Sequence, residues 1–362
     1  MDKHKQLQNS LWLNSEFFGY YMVIFYSVIV CFQTAYRFSS PSSPNYSRYK
    51  DLLSESWISK SLKFDNSDLQ YSSFRSALIQ LSLLLFLYLL IKAICRKYIP
   101  KHQDKAQLLL NLSSLYILHG NNVLKILLVT IPAFFLGKRF KSPAFIWAFI
   151  VSSLFVIEWY TWKYESLNLQ FLDQFLGFYP RWNLAFKISC LRIISFIMDY
   201  CWFETGNSKG GLETNKEYKY RLLYGSCSHD DFSLINFFNY VFYLPLYLAG
   251  PIMTFNDFVY QSRHNDTVLK SGTIYYGIRF IANFLLLELI LHLSYPVAIK
   301  QAKAFDGFSP KDFGVLAYLN LNIVWLKLLN IWRFFRLIAL IDGIEPPENM
   351  VSQLINQIRS VA

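Results

Sequence analysis

The stretch ALIQLSLLLFLYLLIKAIC, residues 77–95, decides the class of fold. It contains one charged side chain, Lys92, and a helix of about 20 apolar residues is long enough to cross the ~30 Å hydrocarbon core of a bilayer. Comparable apolar runs recur along the chain, near residues 17–32, 143–161, 184–203, 234–254, 274–296 and 313–331. The sequence therefore predicts an all-α protein, a polytopic transmembrane helix bundle with about seven to eight spans.

The composition agrees with a membrane protein and excludes a soluble globular domain. Hydrophobic residues make up 54% of the chain and charged residues 16%, against about 25% in an average soluble domain. The net charge of +11 could indicate nucleic acid, but the lysines and arginines cluster between apolar runs, as in residues 92–105, which is typical of cytoplasmic anchors. We therefore expect no nucleic-acid partner. The five cysteines, an odd number without paired spacing, predict neither a disulfide framework nor a metal site.

The apolar region at 106–137 needs a separate interpretation. Its first piece, Ala106 to His119, would reach only ~21 Å as a helix, and the polar residues His119 to Asn122 then interrupt the pattern. The sequence predicts two half-depth helices that form a reentrant hairpin. Such a hairpin returns the chain to the side from which it started.

The charge pattern predicts the orientation. Two lysines, Lys3 and Lys5, precede a first run that is too long for a signal-peptide core, so we expect a retained first span and a cytoplasmic N-terminus. The inside loops are then 92–105, 138–142, 204–232 and 297–312, and the outside loops are 36–75, 162–182 and 255–272. The inside loops hold 15 lysines and arginines and the outside loops 10, which favours this orientation. Two glycosylation triplets, at Asn45 and Asn265, fall in predicted outside loops.

Ionisable groups inside a bilayer are costly, so each one needs a partner or a function. Glu288 and His292 are four residues apart and share a helix face, where a carboxylate could orient an imidazole as a general base. The alternative is that both hydrogen-bond to a neighbouring helix. Arg192 and Asp199 lie two turns apart on one face, and either a structural pair or a substrate-facing role is open.

Two further stretches combine apolar and polar residues. In YLPLYLAGPI, residues 243–252, Pro245 and the Gly250-Pro251 pair interrupt a hydrophobic run, which indicates a tunnel or a reentrant element. In WRFFRLIALIDGIEPPEN, residues 332–349, the charges predict an interfacial helix before a proline-stopped turn. The candidate residues for the interior or the substrate path are Arg192, Asp199, Tyr247, Gly250, Pro251, Glu288, His292, Arg336 and Asp342. Up to this point an enzyme, a transporter and a scaffold all remain open.

At these residues the sequence resembles the membrane-bound O-acyltransferase family, and within it the fungal glycerol-uptake-protein branch, which is related to the Hedgehog acyltransferases. The resemblance runs from about residue 70 to Met350. It is most specific in three stretches, residues 180–202, 243–257 and 332–350. We therefore expect a family bundle over residues 1–350, with a first span at 17–32, a luminal loop at 36–75 and a family core at 77–350.

The resemblance implies an enzyme of the endoplasmic reticulum membrane, with the plasma membrane as an alternative location. Such an enzyme transfers a long acyl chain from acyl-CoA, a co-substrate rather than a bound cofactor, to a hydroxyl group. The implied acceptor is a lipid of the glycosylphosphatidylinositol (GPI) anchor, so membrane lipids are the expected partners. The transfer needs a base near the acceptor hydroxyl, a role that the family gives to a histidine in an apolar cavity.

The end of the chain departs from the family pattern. After the Pro-Pro-Glu-Asn-Met element the family continues into a Trp-Arg-Ala-Trp-His-Arg-Ser-Phe-Asn type of motif, whereas residues 351–362 form a divergent tail. None of the six histidines lies in or after that motif, so no catalytic residue is carried over: His4, His102, His119, His229, His264 and His292. We expect a truncated chain that lacks the catalytic segment. The alternatives are glycerol uptake coupled to protons and a non-catalytic paralogue that keeps the acyl tunnel.

Overall fold

The computed structural model describes residues 15–56, 59, 62–164, 175, 177–179, 182–205, 228–263 and 271–348. These residues are almost entirely helical, which confirms the predicted all-α class. The helices are α1 Ser15–Ser39, α2 Tyr46–Tyr49, α3 Leu69–Tyr98, α4 Gln103–His119, α5 Val123–Phe140, α6 Pro143–Tyr164, α7 Trp182–Glu204, α8 Leu234–Val241, α9 Leu244–Tyr247, α10 Phe255–Arg263, α11 Ser271–Leu293, α12 Pro296–Gln301 and α13 Pro310–Ile341. Two short strands, β1 (Leu53–Glu55) and β2 (Lys63–Asp65), pair in antiparallel fashion.

Three helical segments in the described part of the chain are long and apolar enough to cross a membrane. They are Glu16–Ser39, Leu69–Tyr98 and Gly272–Leu293. These segments contain or overlap the predicted runs at 17–32, 77–95 and 274–296. The second lies between the strands and α4, and its one buried charge inside the apolar run is Lys92.

The chain divides into two compact units. The first comprises Met1–Ser73 and Ala282–Leu328, and the second comprises Phe74–Ile281 and Leu329–Ala362. The boundaries fall inside α3, α11 and α13, so these helices contribute to both units. The predicted boundaries of the bundle, the luminal loop and the tail stay predictions, and residues 351–362 lie outside the described part.

In the first unit, the loop after α1 packs against α12 and the start of α13. Tyr49 is fully buried among apolar side chains such as Ala298 and Leu319. The Asp65 carboxylate accepts hydrogen bonds from the backbone N–H groups of Val297 and Ala298, at 2.8 and 3.0 Å. Burial raises the pKa of Asp65, and these donors partly offset that effect.

These contacts correct the predicted topology. The loop 36–75 was assigned to the outside and the loop 297–312 to the inside, yet the Asn45 amide donates to the main-chain carbonyl of Asp306, at 2.8 Å. Arg48 also forms an ion pair with the Asp306 carboxylate. The two loops therefore lie on the same side. Because Asn45 is buried and its amide nitrogen is engaged, a glycan on that nitrogen does not fit this arrangement. The Asn265 triplet lies outside the described residues.

The second unit contains the predicted hairpin. The polar break is confirmed, since Gly120 has a positive φ of 59° between α4 and α5. The two helices of the hairpin are α4, with 17 residues, and α5, with 18, or about 26 and 27 Å of helix, and the predicted half depth in the membrane stays a prediction. At the tip, the N–H of Asn121 donates to the carbonyl of Phe175, at 3.0 Å.

The predicted inside loops around α4, α5 and α7 do lie on one face of this unit. Lys138 donates to the carbonyl of Phe232, at 3.0 Å, and Lys141 forms an ion pair with Glu204. The amide of Asn239 donates to the carbonyl of Asp104, at 2.9 Å. The grouping of 92–105, 138–142 and 204–232 is therefore confirmed for the described residues of those loops.

The predicted span at 234–254 is wrong. This stretch forms two short helices, α8 and α9, and then a non-helical segment that leads into α10. At the end of α10, Arg263 forms an ion pair with Asp231, which precedes α8. The chain therefore returns to the face from which it left, and the loop 255–272 shares a side with the loop 204–232. The prediction that these two loops are on opposite sides is wrong.

The predicted interfacial helix at 332–341 is also wrong as a separate element. Trp332 and Arg336 belong to α13, a continuous helix of 32 residues. The predicted turn follows directly after it, with Gly343 at a positive φ of 84°. The apolar residues between the charges carry the helix through this stretch without a break.

Candidate functional site

The helix break between α8 and α9 is organised by Arg192 of α7. Pro245 has no N–H group, and the short helices leave main-chain carbonyls that need a donor inside the protein. The guanidinium of Arg192, only 1% exposed, donates to the carbonyl of Val241 at 3.2 Å and to the carbonyl of Leu246. Two N–H groups of one planar guanidinium thus satisfy main-chain carbonyls on both sides of the break.

Asp199, two turns further along α7, has a different partner. Its carboxylate accepts a hydrogen bond from the backbone N–H of Asn256, at 3.2 Å, near the start of α10. Both Arg192 and Asp199 are buried, as their shared face predicts. The predicted structural pair of Arg192 and Asp199 is not formed, because each side chain hydrogen-bonds to the backbone of residues 241–256 instead.

A buried ionic centre surrounds Asp342, directly after α13. Its carboxylate accepts from the ammonium group of Lys92 at 2.5 Å and from the hydroxyl of Tyr243. Arg96 lies 3.9 Å away. The side chains of Lys92 and Asp342 are 7% and 6% exposed, so the pair is shielded from water. We call Lys92, Tyr243 and Asp342 the aspartate centre.

A chain of polar side chains leads from this region to a cavity. The hydroxyl of Tyr88 donates to Asn111 at 2.9 Å, and the amide of Asn111 donates to Asn239 at 3.2 Å. Asn239 lines a cavity of 340 Å³ between the start of α4 and the end of α10. Phe258 also lines the cavity, and its ring lies 5.2 Å from that of Tyr243. One aromatic ring therefore separates the cavity from the aspartate centre.

The cavity has a mixed polar lining. Lys101 lies in the turn before α4 and Asp104 in its first turn, and Asp231 and Arg263 form the ion pair described above. Its volume lies near the lower end of the range of small-molecule pockets, about 300–1,000 Å³. Such a cavity can take the polar portion of a ligand whose remainder extends elsewhere.

A second polar position lies at the hairpin tip. The Nδ1 atom of His119 is 2.8 Å from the carbonyl oxygen of Tyr179. A carbonyl only accepts, so Nδ1 carries the proton and Nε2 carries the lone pair of the neutral ring. Nε2 and the hydroxyl of Tyr247 are both buried and have no hydrogen-bond partner among the described residues, and the two rings are 5.6 Å apart.

The sequence does not identify His119 as a site residue and indicates only that it ends a helix. A histidine that ends an apolar helix before a glycine was the available signal. Tyr247, which was predicted, lies beside it. A neutral imidazole in this position can accept a proton or a hydrogen bond from a group that enters the interior.

Gly250, Pro251 and Arg336 lie around the break and the turn after α13. A Cβ on Gly250 would lie 2.5 Å from the Cα of Leu246, so the main chain approaches too closely for another residue without a shift. Arg336 donates to the carbonyl of Pro346 at 3.0 Å, and this contact holds the turn that follows Asp342. Pro251 and Arg336 both line a shallow depression.

Glu288 and His292 belong to the first unit. The Glu288 carboxylate accepts from the hydroxyl of Tyr71 on α3 at 2.8 Å, which confirms the predicted bond to a neighbouring helix. His292 contacts the main-chain oxygen of Glu288 at 2.6 Å and the Ser56 hydroxyl at 2.9 Å. The imidazole is thus turned to the backbone, and the predicted carboxylate–imidazole pair is wrong.

Within the described residues, no group of three or more His, Cys, Asp or Glu side chains is arranged to hold a metal ion. The acidic and basic groups described above are instead used by one another or by main-chain groups.

Comparison with known proteins decides the family. The model of the membrane-bound O-acyltransferase family matches residues 168–360. This chain belongs to that family. The match contains the stretches 180–202, 243–257 and 332–350, which confirms the resemblance drawn from them. In this chain, these stretches contain Arg192, the helix break and Asp342.

The relatives of this acyltransferase family member identify its branch. A membrane-bound O-acyltransferase GUP1 of Saccharomyces cerevisiae is 37% identical over 98% of this chain and 66% of its own length. The Candida tropicalis protein of the same name is 36% identical over 98% of this chain and 63% of its own. A protein-cysteine N-palmitoyltransferase HHAT-like protein of Mus musculus is 30% identical over 34% of this chain and 26% of its own. The chain thus spans about two thirds of the length of the fungal relatives.

Proposed function

We propose that this chain binds and positions the acyl donor in a membrane-bound O-acyltransferase that transfers a long acyl chain from acyl-CoA to a lipid hydroxyl. The observation that carries the proposal is the aspartate centre. Three distant parts of the family core meet there, one aromatic ring away from a polar cavity. A buried ion pair of this kind is costly, so a position beside a cavity supports a functional role.

Acyl transfer sets the chemical requirements. The acceptor oxygen attacks the thioester carbonyl, a C–O bond forms, the C–S bond breaks, and the proton that the acceptor hydroxyl loses to a base ends on the leaving thiolate, which departs as free CoA. In this chain, the Asp342 carboxylate accepts hydrogen bonds from the ammonium group of Lys92 and from the hydroxyl of Tyr243, whose ring lies against Phe258 at the edge of the cavity. We assign Asp342 as a positioning residue for the acyl donor, because it holds Tyr243 at the edge of the 340 Å³ cavity, and we assign that cavity as the site of the polar end of acyl-CoA.

The proposed acceptor is a lipid of the GPI anchor in the endoplasmic reticulum membrane. The relatives are named as O-acyltransferases, and the three long apolar helical segments support a location where the acceptor is itself a membrane lipid. A histidine base of the family type belongs to the motif that would follow Met350, and no residue of this chain is assigned that role.

The proposed topology differs from the one that the sequence predicts by a single step. If 234–254 enters the membrane and returns instead of crossing it, the loop 255–272 lies inside and the loop 297–312 lies outside. Both same-side contacts described above then agree with one topology. The N-terminus stays cytoplasmic, and the reentrant hairpin returns the chain to the cytoplasmic side.

A photoactivatable acyl-CoA tests donor binding. We expect it to label the chain in membranes, with labelling reduced about tenfold in Asp342→Asn, the equivalent of roughly 1.4 kcal/mol. The matched control is Asp306→Asn, an exposed aspartate at the other unit, which should label as the parent chain does. Tyr243→Phe, which keeps the Lys92–Asp342 ion pair, separates loss of binding from loss of folding. Equal labelling of all variants contradicts the proposal.

Glycerol uptake coupled to protons is the second candidate function. The observation that favours it is the row of buried polar groups Tyr88, Asn111 and Asn239, because a glycerol path needs hydroxyl and amide groups in an apolar bundle. Glycerol accumulation in intact cells that falls in Asn111→Leu, without any acyl labelling, would support transport over acyl transfer. A non-catalytic paralogue predicts labelling without acyl transfer to lipid.

A further inference from the structure

Two buried polar groups at the hairpin tip lie side by side without a partner. His119 ends α4 and Tyr247 lies in α9, both are fully buried, and their rings meet edge to face with centres 5.6 Å apart. Neither the Nε2 atom of His119 nor the hydroxyl of Tyr247 has a hydrogen-bond partner among the described residues. Buried polar groups of this kind are rare in native proteins, because each has lost its bonds to water and gained nothing in return. We call His119 and Tyr247 the tip pair.

Rotation of the imidazole does not satisfy the tip pair. The Nδ1 atom of His119 donates to the carbonyl of Tyr179, at 2.8 Å, and turning the ring over would move Nδ1 away from this carbonyl. The carbonyl is itself held in place, since the N–H of Tyr179 donates to the carbonyl of Leu118, at 2.9 Å. The Tyr247 ring packs against that of Phe242, with centres 6.1 Å apart. The free lone pair of Nε2 is therefore built into the fold.

The free atoms at the tip call for a hydroxyl group. The Nε2 atom of a neutral imidazole only accepts, whereas the hydroxyl of Tyr247 can donate. One hydroxyl oxygen can donate to Nε2 and accept from Tyr247 at the same time. An ionised carboxylate or a phosphate diester has no O–H to donate, and an ammonium group has no lone pair with which to accept. A third buried acceptor without a partner among the described residues, Oδ1 of Asn122, lies in the turn that follows His119 and also favours an O–H donor.

The tip pair lies at the opposite end of α4 from the polar cavity. Gln103, which lines that cavity, is the first of the 17 residues of α4, and His119 is the last, so about 24 Å of helix separates them. In acyl-CoA, the pantetheine arm separates the nucleotide from the thioester. A donor whose polar end occupies the cavity therefore extends its thioester towards the tip, and an acceptor held at the tip approaches from the other end.

We propose that the tip pair binds the alcohol group of the acceptor lipid. The O–H of the alcohol donates to Nε2 of His119, and its oxygen accepts from the hydroxyl of Tyr247. This inference rests on the proposed function, which supplies a lipid hydroxyl as the acceptor, and it adds the place where that hydroxyl is held. Water offers the same atoms to the pair, so the experiment separates these two sources. The tip pair binds the acceptor, and the base that removes its proton is not assigned to it.

The experiment uses a photoactivatable monoacylglycerol, with a diazirine in its acyl chain, and the dimethyl ether of the same molecule. Both carry the same acyl chain, but the ether has no O–H to donate to Nε2. Labelling of the full chain in detergent is measured for each probe. We expect the alcohol to label the parent chain about fivefold more than the ether does, which corresponds to about 1 kcal/mol, the contribution of one hydrogen bond.

Matched variants locate the effect at the tip pair. His119→Leu should lower labelling by the alcohol about fivefold and leave labelling by the ether unchanged. His119→Gln keeps an amide oxygen that can accept and should lose less. Tyr247→Phe removes the donor and should lower labelling by both probes. The control is His102→Leu, an exposed histidine just before α4, which should label as the parent chain does.

Labelling by the alcohol that depends on His119 and Tyr247, but not on His102, supports the proposal. Equal labelling of the parent chain by alcohol and ether overturns it, because water then completes the pair, and so does an equal loss in His102→Leu. The unfolding temperature without probe identifies a variant that has failed to fold. If His119→Leu is one, the preference of the parent chain for the alcohol and the loss in Tyr247→Phe decide. Failure of photoactivatable acyl-CoA to label the parent chain, with the alcohol result intact, contradicts donor binding alone and leaves the hydroxyl site.

Discussion

Lys92 and Asp342 are 250 positions apart in the chain, and the ammonium nitrogen of Lys92 lies 2.5 Å from a carboxylate oxygen of Asp342. The ion pair joins the run that decides the fold, in α3, to the turn after α13. Tyr243, from the helix break, donates to the same carboxylate. Three stretches that are separate in the sequence are thus tied together by one buried charge.

Removal of Lys92 should be strongly destabilising. Lys92→Met leaves the Asp342 carboxylate buried without its cation, and breaking a buried pair in this way costs about 3–5 kcal/mol. Thermal unfolding in detergent measures the loss. Lys97→Met, an exposed lysine on the same helix, is the control and should change little. Adding Asp342→Asn to Lys92→Met should restore part of the stability, and a double variant less stable than Lys92→Met would contradict this account.

Arg192 should not be replaceable by lysine. Its guanidinium serves the carbonyls of both Val241 and Leu246, whereas lysine presents a single point charge. One lost hydrogen bond to a charged group costs about 1.5–3 kcal/mol, so Arg192→Lys should unfold earlier and Arg192→Met earlier still. Lys187→Met, a lysine 42% exposed on the same helix, is the control. Arg192→Lys with the stability of the parent chain would show that the fork geometry is not needed.

The hairpin tip should not tolerate a side chain at Gly120. A Cβ there would lie 2.0 Å from the carbonyl oxygen of Phe175, and the φ of 59° is unfavourable for alanine. Gly120→Ala should therefore destabilise the second unit, measured as a lower unfolding temperature. Gly314→Ala is the matched control, because nothing lies within 4 Å of its Cβ and alanine stabilises a helix interior by about 1 kcal/mol over glycine. We expect Gly120→Ala to lower the unfolding temperature and Gly314→Ala to raise it. Equal changes in the two variants would contradict the close approach of Gly120 to Phe175.

Cysteine labelling tests the corrected topology. In a cysteine-free background, Asp230→Cys and Ser262→Cys should react with a membrane-impermeant maleimide from one side of the membrane, since the loops that carry them meet through Asp231 and Arg263. Asp51→Cys and Asp306→Cys should react together from the other side. All four positions are exposed, so accessibility does not limit the reaction. Labelling of the first two positions from opposite sides would restore 234–254 as a span.

The sequence predicts the helical class and the break between α4 and α5, because hydrophobic length and a glycine among polar residues are local signals. It does not predict the path of 234–254. Hydropathy measures only how apolar a segment is. An interrupted segment whose free carbonyls accept from Arg192 is as apolar as a membrane-spanning helix, so the two cannot be told apart by hydropathy. In the proposed topology, that one step reverses the side of the membrane on which every later loop lies.

The two predicted side-chain pairs, Glu288 with His292 and Arg192 with Asp199, are not formed, and the reason is similar. Spacing of four or seven residues places two side chains on one face but does not choose their partners. Glu288 bonds to Tyr71, 217 positions away, and Asp199 bonds to the backbone of Asn256. Partners so distant along the chain follow from the tertiary fold, which one sequence without its relatives does not reveal. The position of His119 at the end of an apolar helix is a local signal that can be recognised in the sequence. Which of its ring nitrogens carries the proton depends on a tertiary contact, and the sequence does not show it.

The bonds of Arg192 have a consequence for biosynthesis. The arginine leaves the ribosome 49 residues ahead of Val241 and 54 ahead of Leu246, its two acceptors. Until residues 241–246 have been made, the Arg192 guanidinium lacks the two carbonyls that it binds in the folded chain, whereas the carbonyl of Leu246 also accepts from the N–H of Gly250. An arginine inside the bilayer costs roughly 2.5–3.5 kcal/mol, so we expect α7 to become stable in the membrane only after this later stretch has been synthesised.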